Sequence, residues 1–170
     1  PVCGGAVSVG DCVCANYIQG TLCGCNADPD PGPFYALESQ VVEASIAAGV
    51  TYVLAAGNSS TSACNASPAR TPSALTVAAT DSSDARASFS NLGPCVDLFA
   101  PGVGIQSSWH TGDTATNTLQ GTSMAAPHVA GAAARYLQDH PEATPAEVVA
   151  ALEESATPDR VGDAGSGSPN

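Results

Sequence analysis

The stretch Gly121-Thr-Ser-Met-Ala-Ala-Pro-His-Val-Ala-Gly131 decides how the rest of the chain is read. Its first glycine permits a tight turn and close backbone approach, and an alanine-rich helix is expected from about Met124 to Asp139. Ser123 then stands at the helix N-terminus, where unpaired N–H groups and the positive end of the helix dipole face outward. A developing oxyanion is stabilised in such a place. Pro127 falls in the first turn, where its missing N–H costs little. Small residues at positions 125, 126, 130, 131 and 132 suit a helix lying buried against a sheet. A serine in this position also reads as a simple helix cap.

Working outward, the flanking chain alternates helices and strands. Phe34, Leu37, Val41, Val42, Ser45 and Ile46 form a helical stripe that ends at Gly49, a natural C-cap. Val50-Thr-Tyr-Val-Leu-Ala-Ala56 is β-rich and stops at Gly57-Asn58, where the asparagine reads as a turn residue. Ala74–Ala79 and Cys95–Ala100 are further strands, the latter ended by Pro101-Gly102. Thr144-Pro-Ala-Glu147 spells a capping box with proline at the first helical position, so a last helix starts there. This order predicts an α/β fold on a mostly parallel sheet.

Composition narrows the function. The 170 residues carry 16 acidic side chains and only four basic ones, all arginine, for a formal net charge of -12. Such a surface is solvated and repels phosphate, which excludes nucleic acid as a partner. No run reaches the ~18 apolar residues of a membrane span, so no membrane partner is expected.

Seven cysteines and only three histidines, without a C-x2-C pair, point to disulfides in an oxidising compartment rather than to zinc. Five cysteines (3, 12, 14, 23 and 25) crowd the start, so residues 1–27 read as a cysteine-rich segment with an unpaired count. Residues 28–33, Asp-Pro-Asp-Pro-Gly-Pro, read as a stiff linker. The body is 34–170. The start at Pro1 and the end in Gly165-Ser-Gly-Ser-Pro-Asn170 lead us to expect a piece of a longer protein.

At all eleven positions, 121–131 resembles the nucleophile motif of the subtilisin-like serine proteases, and the chain looks closest to the proteinase K and aqualysin-like branch. The resemblance spans about 34–170 and implies the C-terminal half of a three-layer catalytic domain with a mostly parallel sheet. It implies Ser123 as nucleophile and Asn58, in Ala55-Ala-Gly-Asn58, as oxyanion donor. It also implies that Ala55, Ala56 and Gly57 edge a specificity pocket with room for an apolar side chain. Catalysis needs no cofactor. A structural calcium ion on the carbonyls of Pro72 and Ala74 and the carboxylate of Asp97 is implied by the same branch, though such an aspartate also reads as a loop cap. So is a disulfide between Cys64 and Cys95. Residues 3–25 separately resemble the back half of an EGF-like module.

The resemblance implies a secreted, monomeric endopeptidase acting on proteins or peptides. It also exposes a gap. Serine needs a base held by a third group, and the family's aspartate and H-G-T-H motifs are absent here. His128 lies five residues past Ser123 on the same helix and projects away from it. His110 and His140 read as surface residues. The expectation is therefore a chain inactive without its N-terminal half, with a non-catalytic secreted binding or scaffold module as the alternative.

Overall fold

In the computed structural model the described backbone comprises residues 12–17, 20–25 and 33–170, with side chains described from residue 37 onward. The elements are β1 (Cys12–Tyr17), β2 (Gly20–Cys25), α1 (Pro33–Ala47), β3 (Val53–Ala55), β4 (Leu75–Thr80) and β5 (Leu98–Pro101). They are followed by β6 (Ile105–Ser108), β7 (Thr116–Leu119), α2 (Thr122–Asp139) and α3 (Pro145–Ser155). β1 and β2 pair antiparallel, with Cys12 opposite Cys25 and Cys14 opposite Cys23. Cys3 and most of the expected linker fall outside the described residues.

The organising unit is a parallel sheet in the order β3-β4-β5, which is the α/β arrangement expected. β4 is buried along its whole length, and its alternation sorts the core into two. Leu75, Val77 and Ala79 face one layer with Ala100, Ala125, Ala126 and Val129, while Ala78 faces the other with Ala56, Ala63 and Val96. Small side chains allow α2 to approach the sheet closely, in contact with all three strands.

α2 buries Thr122, Ala125, Ala126, Val129 and Ala133, a single stripe at helical spacing. Ala130, Gly131 and Ala132 are exposed, contrary to the expectation of burial, because the 3.6-residue period carries them to the far side. The helix also starts two residues earlier than expected. Pro127 is therefore beyond the first turn, and the carbonyl of Ser123 has no N–H four residues on to receive.

The C-terminus of α1 and the N-terminus of α3 follow the sequence closely. Val50 N–H donates to the Ser45 carbonyl at 3.1 Å and Gly49 N–H to that of Ile46 at 2.9 Å, a Schellman closure around Gly49 at φ +97°. That closure takes up the Val50 N–H, and β3 begins at Val53, later than its β-rich sequence suggests. At α3 the capping box of Thr144 and Glu147 is complete, and two hydrogen bonds to Thr144 hold the Glu147 carboxyl below its ordinary range.

Candidate active site

The chemistry gathers where β3 ends and α2 begins. Gly121, at φ +148°, is the N-cap and provides no side-chain cap; its N–H donates to the Gly102 carbonyl at 2.8 Å. Ser123 is thus the second residue of the helix and exposed, which removes the helix-cap reading.

The first turn then assigns its N–H groups one by one. Thr122 N–H donates to Asn58 Oδ1 at 2.9 Å, and Met124 N–H to the Gly121 carbonyl at 2.9 Å. The N–H of Ser123, between them, has no acceptor among the described residues. Thr122 Oγ1 also donates to Asn58 Oδ1 at 3.0 Å while accepting from Gly57 N–H at 3.1 Å. With its oxygen held twice by Thr122, the Asn58 amide has one orientation, and its NH2 is turned away from that contact. A methyl group on Gly121 would lie 3.6 Å from Asn58 Nδ2 and 3.7 Å from Ser123 N, so both donors border one spot. Two uncommitted N–H donors beside a serine hydroxyl are what an oxyanion requires.

Thr122 lies inside the motif that drew attention to Ser123, yet its clamp on Asn58 was not foreseen, because its partner is 64 residues away. Ala55 and Gly57 are half-buried, Ala55 packing against the first core layer, whereas the side chain of Ala56 is fully buried in the second and cannot line a pocket.

No base hydrogen-bonds to the Ser123 hydroxyl among the described residues. His128 donates from Nδ1 to the Met124 carbonyl at 2.8 Å, turned onto its own helix. His140 stacks on Tyr136 at the opposite end of α2, roughly 25 Å along the axis from Ser123. His110 stacks on Trp109 between β6 and β7.

The implied calcium ligands lie at the other end of the sheet, before β4 and β5. Asp97 Oδ2 accepts from Thr76 N–H at 2.6 Å. The carboxyl is held above its ordinary range chiefly by burial, with the Thr76 bond opposing and Glu153 adding repulsion. No cationic side chain pairs with it among the described residues. The carbonyls of Pro72 and Ala74 accept no hydrogen bond there either. Three hard oxygens, one of them an uncompensated anion, suit calcium's preference, though they are only part of the six to eight it takes. Asp97 also lines a 650 Å³ cavity along the outer edge of β5, shared with Phe99, Leu152 and Glu153. Cys64 and Cys95 are joined, with S–S 2.09 Å.

Comparison with known proteins bears on the family and the fold. The profile of the subtilase family (Peptidase_S8) matches residues 8–168, reaching into the cysteine-rich segment. The extracellular serine proteinase of Thermus sp. (strain Rt41A) is 54% identical over 160 residues, covering 94% of this chain and 38% of that protein. The alkaline serine exoprotease A of Vibrio alginolyticus is 49% identical over 132 residues, covering 78% of this chain and 24% of that one. A cold-adapted subtilisin-like serine proteinase of known structure superposes with a TM-score of 0.74 at 51% identity, covering 78% of this chain and 47% of its own. The chain thus spans less than half the length of these relatives.

Proposed function

This chain belongs to the subtilase family, and on that premise we propose that Ser123 is the nucleophile of a secreted serine endopeptidase. Its hydroxyl attacks the carbonyl carbon of a peptide bond, and the oxygen becomes an anion at the spot bordered by Asn58 Nδ2 and the Ser123 N–H. Collapse expels the amine and leaves an acyl-serine, which water then hydrolyses. The observation carrying this reading is the orphan Ser123 N–H beside an Asn58 amide whose oxygen is already held by Thr122. Substrates are proteins or peptides, met outside the cell as the relatives' names state for them. Ala55 and Gly57 border the bound side chain and favour an apolar one.

The proton of Ser123 goes to a base contributed by chain beyond these 170 residues, since the three histidines here are placed elsewhere, and that base returns it to the nitrogen of the departing amine. Asp97 with the carbonyls of Pro72 and Ala74 would hold a calcium ion, which supplies charge compensation to Asp97 and takes no part in the reaction. The protein is monomeric and requires its N-terminal half for activity.

The test is a fluorophosphonate probe on the protein produced with its own upstream coding sequence. The expected result is one adduct on Ser123, lost in Ser123→Ala. A folded, unlabelled wild type would overturn the reading. The absence of a base near Ser123 also fits a non-catalytic scaffold, and that alternative is what an unlabelled protein would support. Residues 1–170 expressed alone should not label; brisk labelling of that piece would show that a base is present in it after all.

A further inference from the structure

We infer that Asn91 is a positioning residue of this site: it fastens the 56–61 segment from behind and thereby fixes where Asn58 presents its donor. This rests on the protease reading, but the structural half of it can be tested separately. Asn91 is 2% exposed, and a buried primary amide is stable only with its polar atoms paired. Here every partner belongs to one short segment. Its Oδ1 accepts from Ser59 N–H at 3.0 Å and from Thr61 N–H at 3.1 Å, and its Nδ2 donates to the Ala56 carbonyl at 2.8 Å. Its backbone N–H donates to the Gly57 carbonyl at 2.9 Å.

These contacts bracket Asn58 in sequence without touching its side chain. Ala56, Gly57, Ser59 and Thr61 are held by Asn91, while the Asn58 side chain is held by Thr122 from the opposite side. Gly57 shows how tight the fit is. At φ +102° it has a backbone that suits glycine, and a methyl group there would collide with the Asn91 amide.

Asn91 is itself anchored. The Ser90 hydroxyl, fully buried, accepts from Ala79 N–H in the central strand at 3.0 Å and donates to the Asn91 carbonyl at 3.0 Å. Arg86 donates to the Ser90 carbonyl at 2.9 Å and to that of Asp163 at 2.9 Å. The fastening thus runs from the core strand to the loop that carries the donor. Removing the Asn91 side chain frees Ser59 N–H, Thr61 N–H and the Ala56 carbonyl, and leaves the segment to its backbone bonds with Val77, Phe89, residue 91 and Leu92 and to the hold of Thr122. A donor misplaced by about 1 Å at a reacting centre can lose on the order of a hundredfold in rate.

The experiment compares Asn91→Ala with wild type in the full protein by steady-state kinetics on a peptide substrate and by hydrogen exchange. Expected are a ~10- to 100-fold fall in kcat with KM nearly unchanged, and faster exchange confined to residues 56–61 while β4 and α2 stay protected. Should Asn91→Ala not accumulate folded, Asn91→Ser is measured in the same way. An unchanged kcat per folded molecule, or exchange that rises equally in β4 and α2, would overturn the inference and leave Asn91 as a general stabiliser. If wild-type protein fails to label at Ser123, the protease reading falls. The exchange arm then still decides whether Asn91 holds the 56–61 segment.

Discussion

The two ends of the β3-β4-β5 sheet solve opposite problems with the same strands. At the carboxyl end the groups are neutral: Asn58 and Thr122 hold each other, and the Asn58 NH2 and the Ser123 N–H are left without an acceptor among the described residues. At the amino end, Asp97 is a half-buried anion whose one hydrogen bond does not offset its burial, and two carbonyls stand without donors. One end has unpaired donors, which the proposed oxyanion would use, and the other an unpaired negative charge, which the proposed cation would offset. The contrast predicts that lesions at the first should damage catalysis beyond any loss of folding, and that lesions at the second should change stability in a cation-dependent way and leave catalysis alone.

The largest expected effect is at the first end. In Asn58→Ala one of the two oxyanion donors is lost while the serine remains. Loss of such a donor in subtilisin lowers kcat by about 10²–10³, and that family figure, not one built from this geometry, sets the expectation. Steady-state kinetics per folded molecule should show the fall in kcat with KM almost unmoved, while unfolding should show a loss of about 1–3 kcal/mol because the buried Thr122 donors lose their acceptor. A variant with unchanged kcat, or one whose loss is wholly in folding, would break the contrast.

The Cys64–Cys95 bridge joins the two ends, since Cys64 follows the Asn58 loop and Cys95 precedes Asp97 in the approach to β5. Closing a loop across 31 residues stabilises by roughly 3–4 kcal/mol on the chain-entropy account. The double variant Cys64→Ser/Cys95→Ser should therefore lower the unfolding free energy by about that amount in denaturant titration. Below the unfolding transition its kcat should stay within about twofold of wild type, because Asn91 and Thr122 hold Asn58 independently of the bridge. A large kcat loss at temperatures where the variant is folded would show that the ends are coupled.

What could be read from the sequence depended on how local each feature is. The capping box of α3 and the Gly49 closure of α1 are spelled within a few residues, and both appear as expected. The turn and helix that carry Ser123 were legible because they are contiguous in sequence, whereas the Thr122–Asn58 contact beside it spans 64 residues. The β6–β7 hairpin was not anticipated: its strands are four residues each and largely exposed, so no apolar alternation marks them. The early start of α2 was missed for a related reason, since Gly121 caps through backbone conformation and not through a side chain. Leu37 and Val41 belong to the apolar stripe of α1 yet are 48% and 47% exposed, so periodicity alone overstated their burial. Asn91 gives no sequence signal at all. Its partners are 30 to 35 residues away, and only the fold brings them to it.

The smallest expected effect tests the second end through pH. Burial raises the folded-state pKa of Asp97 above its ordinary value. For an acid shifted upward, the folded state holds the proton longer than the unfolded state does. Its stabilising contribution is therefore complete below the ordinary carboxyl pKa, and it is lost as pH rises through the folded value. Above that, the ionised Asp97 weakens the fold until a cation compensates it. Asp97→Asn keeps an oxygen for the Thr76 N–H and removes the charge, so without calcium it should be at least as stable as wild type at pH 7. The difference should vanish in acid. Calcium at a hundredfold excess over its Kd should stabilise wild type by about 2.7 kcal/mol and leave Asp97→Asn nearly unmoved. Equal gains in both proteins would place the ion elsewhere, and a less stable variant in chelator would mean that the Asp97 charge is already compensated within the fold.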